Sequence, residues 1–137
     1  MKIKLLNPHA LTPKFGTKGA GCFDLYTAED TVLKHGIPTK IPTGIAFEVP
    51  EGFCMPIYSR SSTALKQIIC TPLIVDSDYR GEVFVTALYM GEGEYHVKRG
   101  DRIAQGKLER LEPTTFEVVE TLSETERGTG GYGSTGR

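Results

Sequence analysis

Short runs of alternating apolar and polar residues, separated by turn-forming residues, constrain this fold more than any other feature. In 39–49, Ile45, Phe47 and Val49 fall on one face of an extended strand. Further predicted strands occupy 3–6, 23–28, 53–59, 82–90, 101–112 and 116–120, and alternation recurs in 101–112. Many short strands with frequent turn signals are typical of a β-barrel or jelly roll. The sequence therefore predicts an all-β fold, whose strand edges could be covered by pairing between copies.

Individual strands and one helix can be placed more closely. Segment 82–90 is apolar on both faces, which predicts a central strand, and Pro56 predicts an edge or bulge position. The run GEGE at 91–94 predicts a hairpin turn with a return strand beginning at Tyr95. Only 61–67 has a helical composition, and one of its two leading serines, Ser61 or Ser62, is the expected N-cap.

Length, charge and cysteine content limit the class of protein. A chain of 137 residues is about one domain, expected over 1–126, followed by a glycine-rich segment, 127–137. The net charge of −1 gives no bulk attraction to nucleic acid or to a membrane. Three cysteines without CxxC spacing predict free thiols in a reducing compartment. We expect a soluble, cytoplasmic protein (in the host cytoplasm if the chain is viral) with neither nucleic acid nor membrane as partner.

Two polar stretches carry candidate chemistry in the middle of the chain. Arg60 followed by two serines at a helix start predicts an anion site suited to phosphate, and simple helix capping is the alternative. In 75–82, Asp76, Asp78 and Tyr79 form a tight polar run. This run is either a hairpin turn or a site in which a carboxylate orients a water beside an aromatic ring.

Two further polar stretches lie towards the C-terminus. Gln105, after the turn at Gly100–Asp101, presents either an amide to a polar pocket or part of a solvated hairpin. The last segment, 127–137, combines Arg127 and five glycines with a central Tyr132. Glycines let backbone N–H groups approach a polyphosphate closely, whereas the alternative is a disordered terminus.

Taken together, these stretches resemble the five motifs of the homotrimeric dUTPases (deoxyuridine 5′-triphosphate nucleotidohydrolases). The third and fifth motifs are the specific ones, and the order of all five makes coincidence improbable. The resemblance implies a distorted jelly roll of the β-clip type that hydrolyses dUTP to dUMP and pyrophosphate. The five matching segments are AGCFDLYTAED (20–30), SRSS (59–62), VDSDYRGEV (75–83), GDRIAQ (100–105) and RGTGGYGSTG (127–136).

The resemblance also implies roles for individual residues. Asp76 activates the water that attacks the α-phosphorus, Tyr79 packs against the deoxyribose, and Asp24 supports the site without touching substrate. Uracil is read by backbone groups near Leu73 and Phe84, and Tyr132 stacks on it. The implied ligands of the phosphate chain are Arg60, Ser61, Ser62, Gln105, Arg127, Gly133, Ser134 and Thr135.

The resemblance further implies Mg²⁺ carried by the triphosphate and its waters, without a direct protein ligand. It implies a homotrimer in which each active site draws on three subunits. Segment 127–137 would reach over a neighbouring subunit, mobile without nucleotide and ordered with it, because ordering glycines is entropically costly.

Two departures and two alternatives accompany the resemblance. The first motif carries Cys22 and Phe23 before Asp24, one residue more than usual, and the segment between Arg60 and Asp76 is short. A dCTP deaminase of the same fold is one alternative, with Glu82 as the available catalytic acid. A trimeric protein-binding regulator gated by nucleotide is the other.

Overall fold

Twelve strands in three antiparallel sheets and one short helix make up the described part of the chain. The computed structural model describes residues 1–131. The all-β prediction is confirmed. The elements are β1 (Lys2–Leu5), β2 (Lys14–Phe15), β3 (Phe23–Tyr26), β4 (Thr31–Lys34), β5 (Thr39–Glu48), β6 (Phe53–Tyr58), α1 (Ser61–Leu65), β7 (Ile68–Cys70), β8 (Leu73–Val75), β9 (Glu82–Tyr89), β10 (Glu94–Val97), β11 (Arg102–Gly106) and β12 (Glu109–Arg110).

The first sheet has the order β1-β5-β9-β7 and supplies much of the core. Strand β9 lies between β5 and β7, so its central position is confirmed. Its residues alternate between buried and half-buried, which corrects the expectation of two apolar faces. In 39–49, the alternation predicted the buried face correctly, since Ile45, Phe47 and Val49 are all buried, but Ala46 on the opposite face is buried as well.

The second large sheet is organised around β6. Strands β11 and β12 pair in succession with one side of β6, and β8 pairs with the other. Pro56 is therefore in an interior strand, and the edge alternative is wrong. The missing N–H of Pro56 is accommodated because β11 ends at Gly106 and β12 begins at Glu109, which leaves an interruption opposite the proline.

The pairing of β10 corrects the predicted hairpin. After the turn at 91–94, β10 pairs with β4 in a separate two-stranded sheet and not with β9. The turn residues fit either connection, so the local sequence did not distinguish them. Strand β4 was not predicted, and its presence at 31–34 explains where the return strand goes.

The helix prediction is confirmed, but its cap is not a serine. Helix α1 spans Ser61–Leu65, and Arg60 is its N-cap. The backbone N–H of Arg60 donates to Thr63 Oγ1 at 3.2 Å, so the hydrogen-bond partner of the N-cap residue is a side chain within the helix itself. Among residues 1–131 this five-residue helix is the only one, and it is far too short to cross a bilayer.

The prediction of a strand at 116–120 is wrong, because the structure of the single chain has no strand there. Residues 111–119 have no regular structure, and every residue from 111 to 129 is exposed. Phe116 and Val118 are 93% and 99% exposed although both are good strand formers. The segment thus has the composition of a strand but pairs with no strand among residues 1–131.

Gly106 allows a close approach that another residue would block. A Cβ atom at this position would lie 2.6 Å from Cε2 of Phe23, a buried ring on the paired strand β3. We expect Gly106→Ala to lower the free energy of unfolding by about 1–3 kcal/mol through overpacking. Gly19→Ala is the matched control, because a Cβ there meets nothing within 4 Å. Urea unfolding that gave equal stabilities for the two variants would contradict the packing argument.

Candidate active site

A cavity between the two large sheets brings together four of the predicted site residues. It has a volume of about 300 Å³, and we call it the β8–β9 cavity. Leu73, Asp76, Tyr79 and Phe84 all line it. Strands β6 and β8 of one sheet and β5 and β9 of the other contribute the remaining lining. Its volume lies at the lower end of the range for small-molecule sites.

The segment 76–81 forms one end of this cavity and joins the two sheets. Tyr79 N–H donates to the carbonyl of Asp76 at 3.2 Å, so residues 76–79 form a tight turn. Because β8 pairs with β6 and β9 pairs with β5 and β7, this turn is not a hairpin within one sheet. The sequence left open whether this run is a turn or a site with a carboxylate, and the structure is compatible with both. The run forms a turn, and Asp76 within it lines the cavity, whereas Asp78 does not.

Tyr79 is held by a local arrangement that depends on a glycine. Its hydroxyl donates to the carbonyl of Glu82 at 2.9 Å. The ring lies so close to Gly81 that a Cβ there would be 2.6 Å from Tyr79 Cζ. Gly81 therefore sets where the tyrosine ring stands at the cavity wall.

The same arrangement occurs a second time, away from the cavity. Tyr89 donates from its hydroxyl to the carbonyl of Glu92 at 3.2 Å, and its ring lies over Gly91. The sequences are YRGE at 79–82 and YMGE at 89–92. The four-residue pattern thus specifies the local geometry of the tyrosine. The two occurrences differ in their position relative to the cavity, which only Tyr79 lines.

Two charged side chains also line the cavity: Glu82, which the sequence offered only as the acid of the deaminase alternative, and Lys40, which was not predicted. Glu82 accepts the Gly44 N–H at 2.8 Å through Oε1, so its carboxylate supports the irregular part of β5. Lys40 has its Nζ 3.6 Å from the centroid of the Phe84 ring. The pairing of β5 with β9 brings Lys40 there, a long-range contact for which the local sequence carries no signal.

The second predicted group is centred on Arg60 and its ion pair with Asp24. Arg60 Nε lies 2.7 Å from Asp24 Oδ1, and both side chains are largely buried. Arg102 approaches the other carboxylate oxygen at 3.4 Å. Arg60 Nη1 also donates to Ser62 Oγ at 3.0 Å. Asp24 therefore fixes the direction of the Arg60 guanidinium, and it lines neither the β8–β9 cavity nor the pocket that opens beside Arg60.

A separate pocket of about 240 Å³ opens beside Arg60, and we call it the Arg60 pocket. Its lining includes the three cationic side chains of Arg60, Lys66 and Arg102, with Ser62 and the acidic Asp101. Lys66 Nζ lies 3.1 Å from the hydroxyl of Tyr95. Neither Lys66 nor Arg102 was predicted, although both lie within or beside quoted motifs. The excess of positive charge suits an anion.

Ser61 and Gln105 do not line either pocket. Gln105 Nε2 donates to the carbonyl of Ser59 at 2.9 Å, so it holds the backbone that precedes Arg60. Ser59 in turn bonds Cys70, whose N–H donates to Ser59 Oγ at 2.8 Å. Burial raises the pKa of the Cys70 thiol to about 11, although its hydrogen bond with Ser59 acts in the opposite direction. This thiol is a structural group, and Cys22, Cys54 and Cys70 are all free.

The β8–β9 cavity and the Arg60 pocket share no lining residue. Within one chain, Asp76 and Arg60 are therefore in separate places. Arg127 lines neither pocket and donates from Nε to the carbonyl of Gly130 at 2.9 Å. The predicted contacts of Tyr132, Gly133, Ser134 and Thr135 lie outside the described residues.

Comparison with known proteins gives a consistent result. The family model described as dUTPase matches residues 9–136. The deoxyuridine 5′-triphosphate nucleotidohydrolase of Nautilia profundicola is 42% identical over 140 residues, covering 100% of this chain and 99% of that protein. A Staphylococcus bacteriophage 80alpha dUTPase mutant with dUpNHpp has a TM-score of 0.93 at 25% identity, covering 99% of this chain and 98% of that one. A phage phi11 dUTPase mutant from S. aureus, described for its structural Mg(II) ion, has a TM-score of 0.83 at 21% identity, covering 90% and 98%.

Proposed function

The chain belongs to the dUTPase family, and on that premise we propose that it hydrolyses dUTP to dUMP and pyrophosphate at the α-phosphorus. It is a dUTP diphosphatase, which keeps uracil out of DNA and supplies dUMP. The observation that carries the site assignment is the β8–β9 cavity, which places Asp76 beside Tyr79 and Phe84. A carboxylate at the mouth of a partly apolar cavity of this size suits hydrolysis of a bound nucleotide.

Asp76 is the proposed general base. Its carboxylate accepts a proton from water as the water oxygen bonds to the α-phosphorus. The bond from the α-phosphorus to the oxygen shared with the β-phosphorus breaks, and pyrophosphate leaves with that electron pair. Tyr79, fixed by Gly81 and by its hydrogen bond to Glu82, packs on the deoxyribose. Leu73 and Phe84 flank the base.

The phosphate chain is proposed to bind at the Arg60 side. Arg60 and Ser62 face the Arg60 pocket, and Asp24 holds the guanidinium in place. Ser61 adds a hydroxyl at the start of α1, and Gln105 acts by holding the backbone at Ser59. From 127–137, we assign Arg127, Tyr132, Gly133, Ser134 and Thr135 to the γ-phosphate and the base, as the family resemblance implies.

We propose a homotrimer with shared active sites. One dUTP must contact both Asp76 and Arg60, yet these residues line separate pockets of one chain. Copies that place the Arg60 pocket of one subunit against the β8–β9 cavity of another remove this conflict. The exposed apolar residues of 111–122 support the same arrangement, because they need a surface on another chain. On this basis, 1–126 form the barrel domain with an exchanged arm, and 127–137 complete a neighbour's site.

Mg²⁺ fits the charge balance of the proposed site. Asp24 already compensates much of the positive charge of Arg60 and Arg102, so the protein alone does not neutralise a triphosphate. Mg²⁺ prefers oxygen ligands, keeps several waters and is commonly bound through substrate phosphates. When bound, it supplies neutralisation of the charge that builds up on the phosphate oxygens.

A dCTP deaminase is less well supported by the geometry. Its catalytic acid would be Glu82, but one carboxylate oxygen of Glu82 is occupied by the Gly44 N–H. That contact assigns Glu82 a structural role in the irregularity of β5. A nucleotide-gated regulator would be an additional role of the same trimer, and no described contact requires it.

The proposed function is tested by measuring pyrophosphate release from dUTP, dTTP, dCTP and UTP, with and without Mg²⁺. We expect release from dUTP alone, and faster release when Mg²⁺ is present. Equal rates with dTTP and UTP would contradict the specificity. Ammonia release from dCTP would support the deaminase instead. Sedimentation of the same preparation tests the trimer.

Gly81→Ala tests whether the tyrosine position matters for catalysis. A methyl group at 81 would displace the Tyr79 ring, so we expect kcat/KM for dUTP to fall on the order of ten- to hundredfold. Stability should change little, because Tyr79 is 44% exposed and its ring can swing outwards.

Gly91→Ala is the matched control, since it places the same methyl group under Tyr89, which packs against the core. We expect this variant to lose stability but to keep its kcat/KM. If both variants lost activity equally, the position of the Tyr79 ring would not be the cause.

A further inference from the structure

Lys40 lines the β8–β9 cavity but has no place in the mechanism described above. Its ammonium nitrogen lies 3.6 Å from the centroid of the Phe84 ring, on the wall expected to meet the base. We propose that Lys40 adds a side-chain contribution to base specificity, beside the backbone groups near Leu73 and Phe84, by donating a hydrogen bond from its ammonium to the carbonyl oxygen O4 of uracil. This inference rests on the proposed function, because it assigns the base position to this cavity.

The surroundings of Lys40 hold its ammonium at the cavity. In the register of β5 and β9, Lys40 pairs with Thr86, and Phe84 is paired with Pro42, two residues further along. The attraction between the cation and the Phe84 ring fixes the end of an otherwise flexible side chain. The lysine thus stands beside the aromatic wall at a defined position.

The donors of Lys40 are available to a ligand. Among residues 1–131, four other lysines form ion pairs (Lys2, Lys34, Lys98 and Lys107), whereas Lys40 forms none. The carboxylates that line the cavity are Asp76 and Glu82. Glu82 receives the Gly44 N–H, and Asp76 is assigned to the attacking water. No described carboxylate therefore draws the Lys40 ammonium away from the cavity.

The chemistry of an ammonium group distinguishes uracil from cytosine. Lysine has three N–H donors and no acceptor. Uracil offers an acceptor oxygen at position 4, whereas cytosine has an amino group there, which is itself a donor. A donor facing a donor leaves both groups unpaired in a partly desolvated site, which is costly. Thymine keeps the O4 carbonyl, so Lys40 would exclude cytosine but would not exclude thymine.

The test compares kcat/KM for dUTP and dCTP in the full-length protein and in Lys40→Met. Methionine keeps an unbranched side chain over the Phe84 ring but removes the donors. We expect kcat/KM for dUTP to fall about ten- to hundredfold, mainly through KM, as for loss of a charged hydrogen bond. The value for dCTP should stay the same or rise, so the ratio of the two substrates falls.

Two control variants separate base recognition from a general effect of charge. Lys40→Arg keeps a donor-only cation and should retain the ratio of dUTP to dCTP within a few-fold. Lys34→Met removes the same charge at a lysine that pairs with Glu94 outside the cavity, and should leave both substrates unchanged. An equal loss of dUTP and dCTP turnover in Lys40→Met would overturn the inference.

The outcomes also separate this inference from the proposed function. If the parent protein does not hydrolyse dUTP, the proposed function itself is wrong, and the Lys40 inference falls with it. If the parent hydrolyses dUTP and Lys40→Met keeps the parent's ratio of substrates, only the Lys40 inference is wrong. A lowered ratio in Lys40→Met that Lys40→Arg restores supports both.

Discussion

Asp76→Asn is expected to lower kcat for dUTP by about a hundredfold to ten-thousandfold while leaving KM within a few-fold of the parent value. The amide keeps the size of the side chain but cannot accept the proton of the attacking water, and general bases contribute rate factors of this order. Since Asp76 is exposed at the end of the cavity, the substitution should not affect folding. Steady-state pyrophosphate release, with circular dichroism as the check on folding, measures both expectations.

Asp78→Asn is the matched control for Asp76→Asn. Asp78 lies in the same tight turn and is also exposed, but it does not line the cavity. Its substitution by asparagine changes the net charge by the same amount. We expect its kcat to stay within about twofold of the parent, as for surface changes away from a site. If Asp76→Asn turned over dUTP as fast as the parent, the assignment of the general base would be wrong.

Removal of residues 127–137 is expected to give the second large effect, a fall in kcat of at least about a hundredfold. Arg127 and the hydroxyls of Ser134 and Thr135 are assigned to the γ-phosphate, and losing such charge-stabilising donors has costs of this size. The deletion should not disturb the barrel. Every residue from 111 to 129 is exposed, and Gly128 and Gly130 make only local backbone hydrogen bonds.

A chain of equal length in which Gly-Ser repeats replace 127–137 tests whether activity depends on the side chains of this segment or only on its length. We expect this chain to be as inactive as the deletion, and both to sediment like the parent. A dissociated assembly in the deletion would instead show that the segment holds the subunits together. Normal kcat in the Gly-Ser chain would show that the arginine and hydroxyl groups are not needed.

The strands that the sequence predicted well are those with a strong periodic signal. In 39–49, the burial of Ile45, Phe47 and Val49 follows from alternation, because only one orientation of the strand puts all three side chains on the core face. Strands β2, β4, β7 and β8 were missed, and each is only two to four residues long. A run of that length carries too little pattern to stand out from a loop.

Pairing between distant segments was the part that the sequence did not reveal. The residues at 91–94 are compatible with a hairpin, yet β10 pairs with β4, which lies far away in the chain. The run at 116–120 has the composition of a strand, but a strand needs a partner, and the described part of the chain offers it none. The composition of a segment determines whether it can form a strand, and the rest of the fold determines which strand it pairs with.

In the candidate site, too, the local motifs were recognisable from the sequence, whereas contacts between distant segments were not. The motifs marked Asp76, Tyr79 and Arg60 because their residue types and order are unusual for a simple barrel. They did not mark Lys40, which reaches the cavity only because β5 pairs with β9. They also did not show that Asp24 would ion-pair with Arg60, because the two residues are 36 positions apart.

Ile57 and Val83 belong both to the hydrophobic core and to the lining of the β8–β9 cavity. The inner wall of the site is therefore the outer layer of the core. A buried methylene lost at either residue would change the width of the site without touching a polar group. Substrate affinity and thermal stability should consequently vary together among homologues that differ at these two positions.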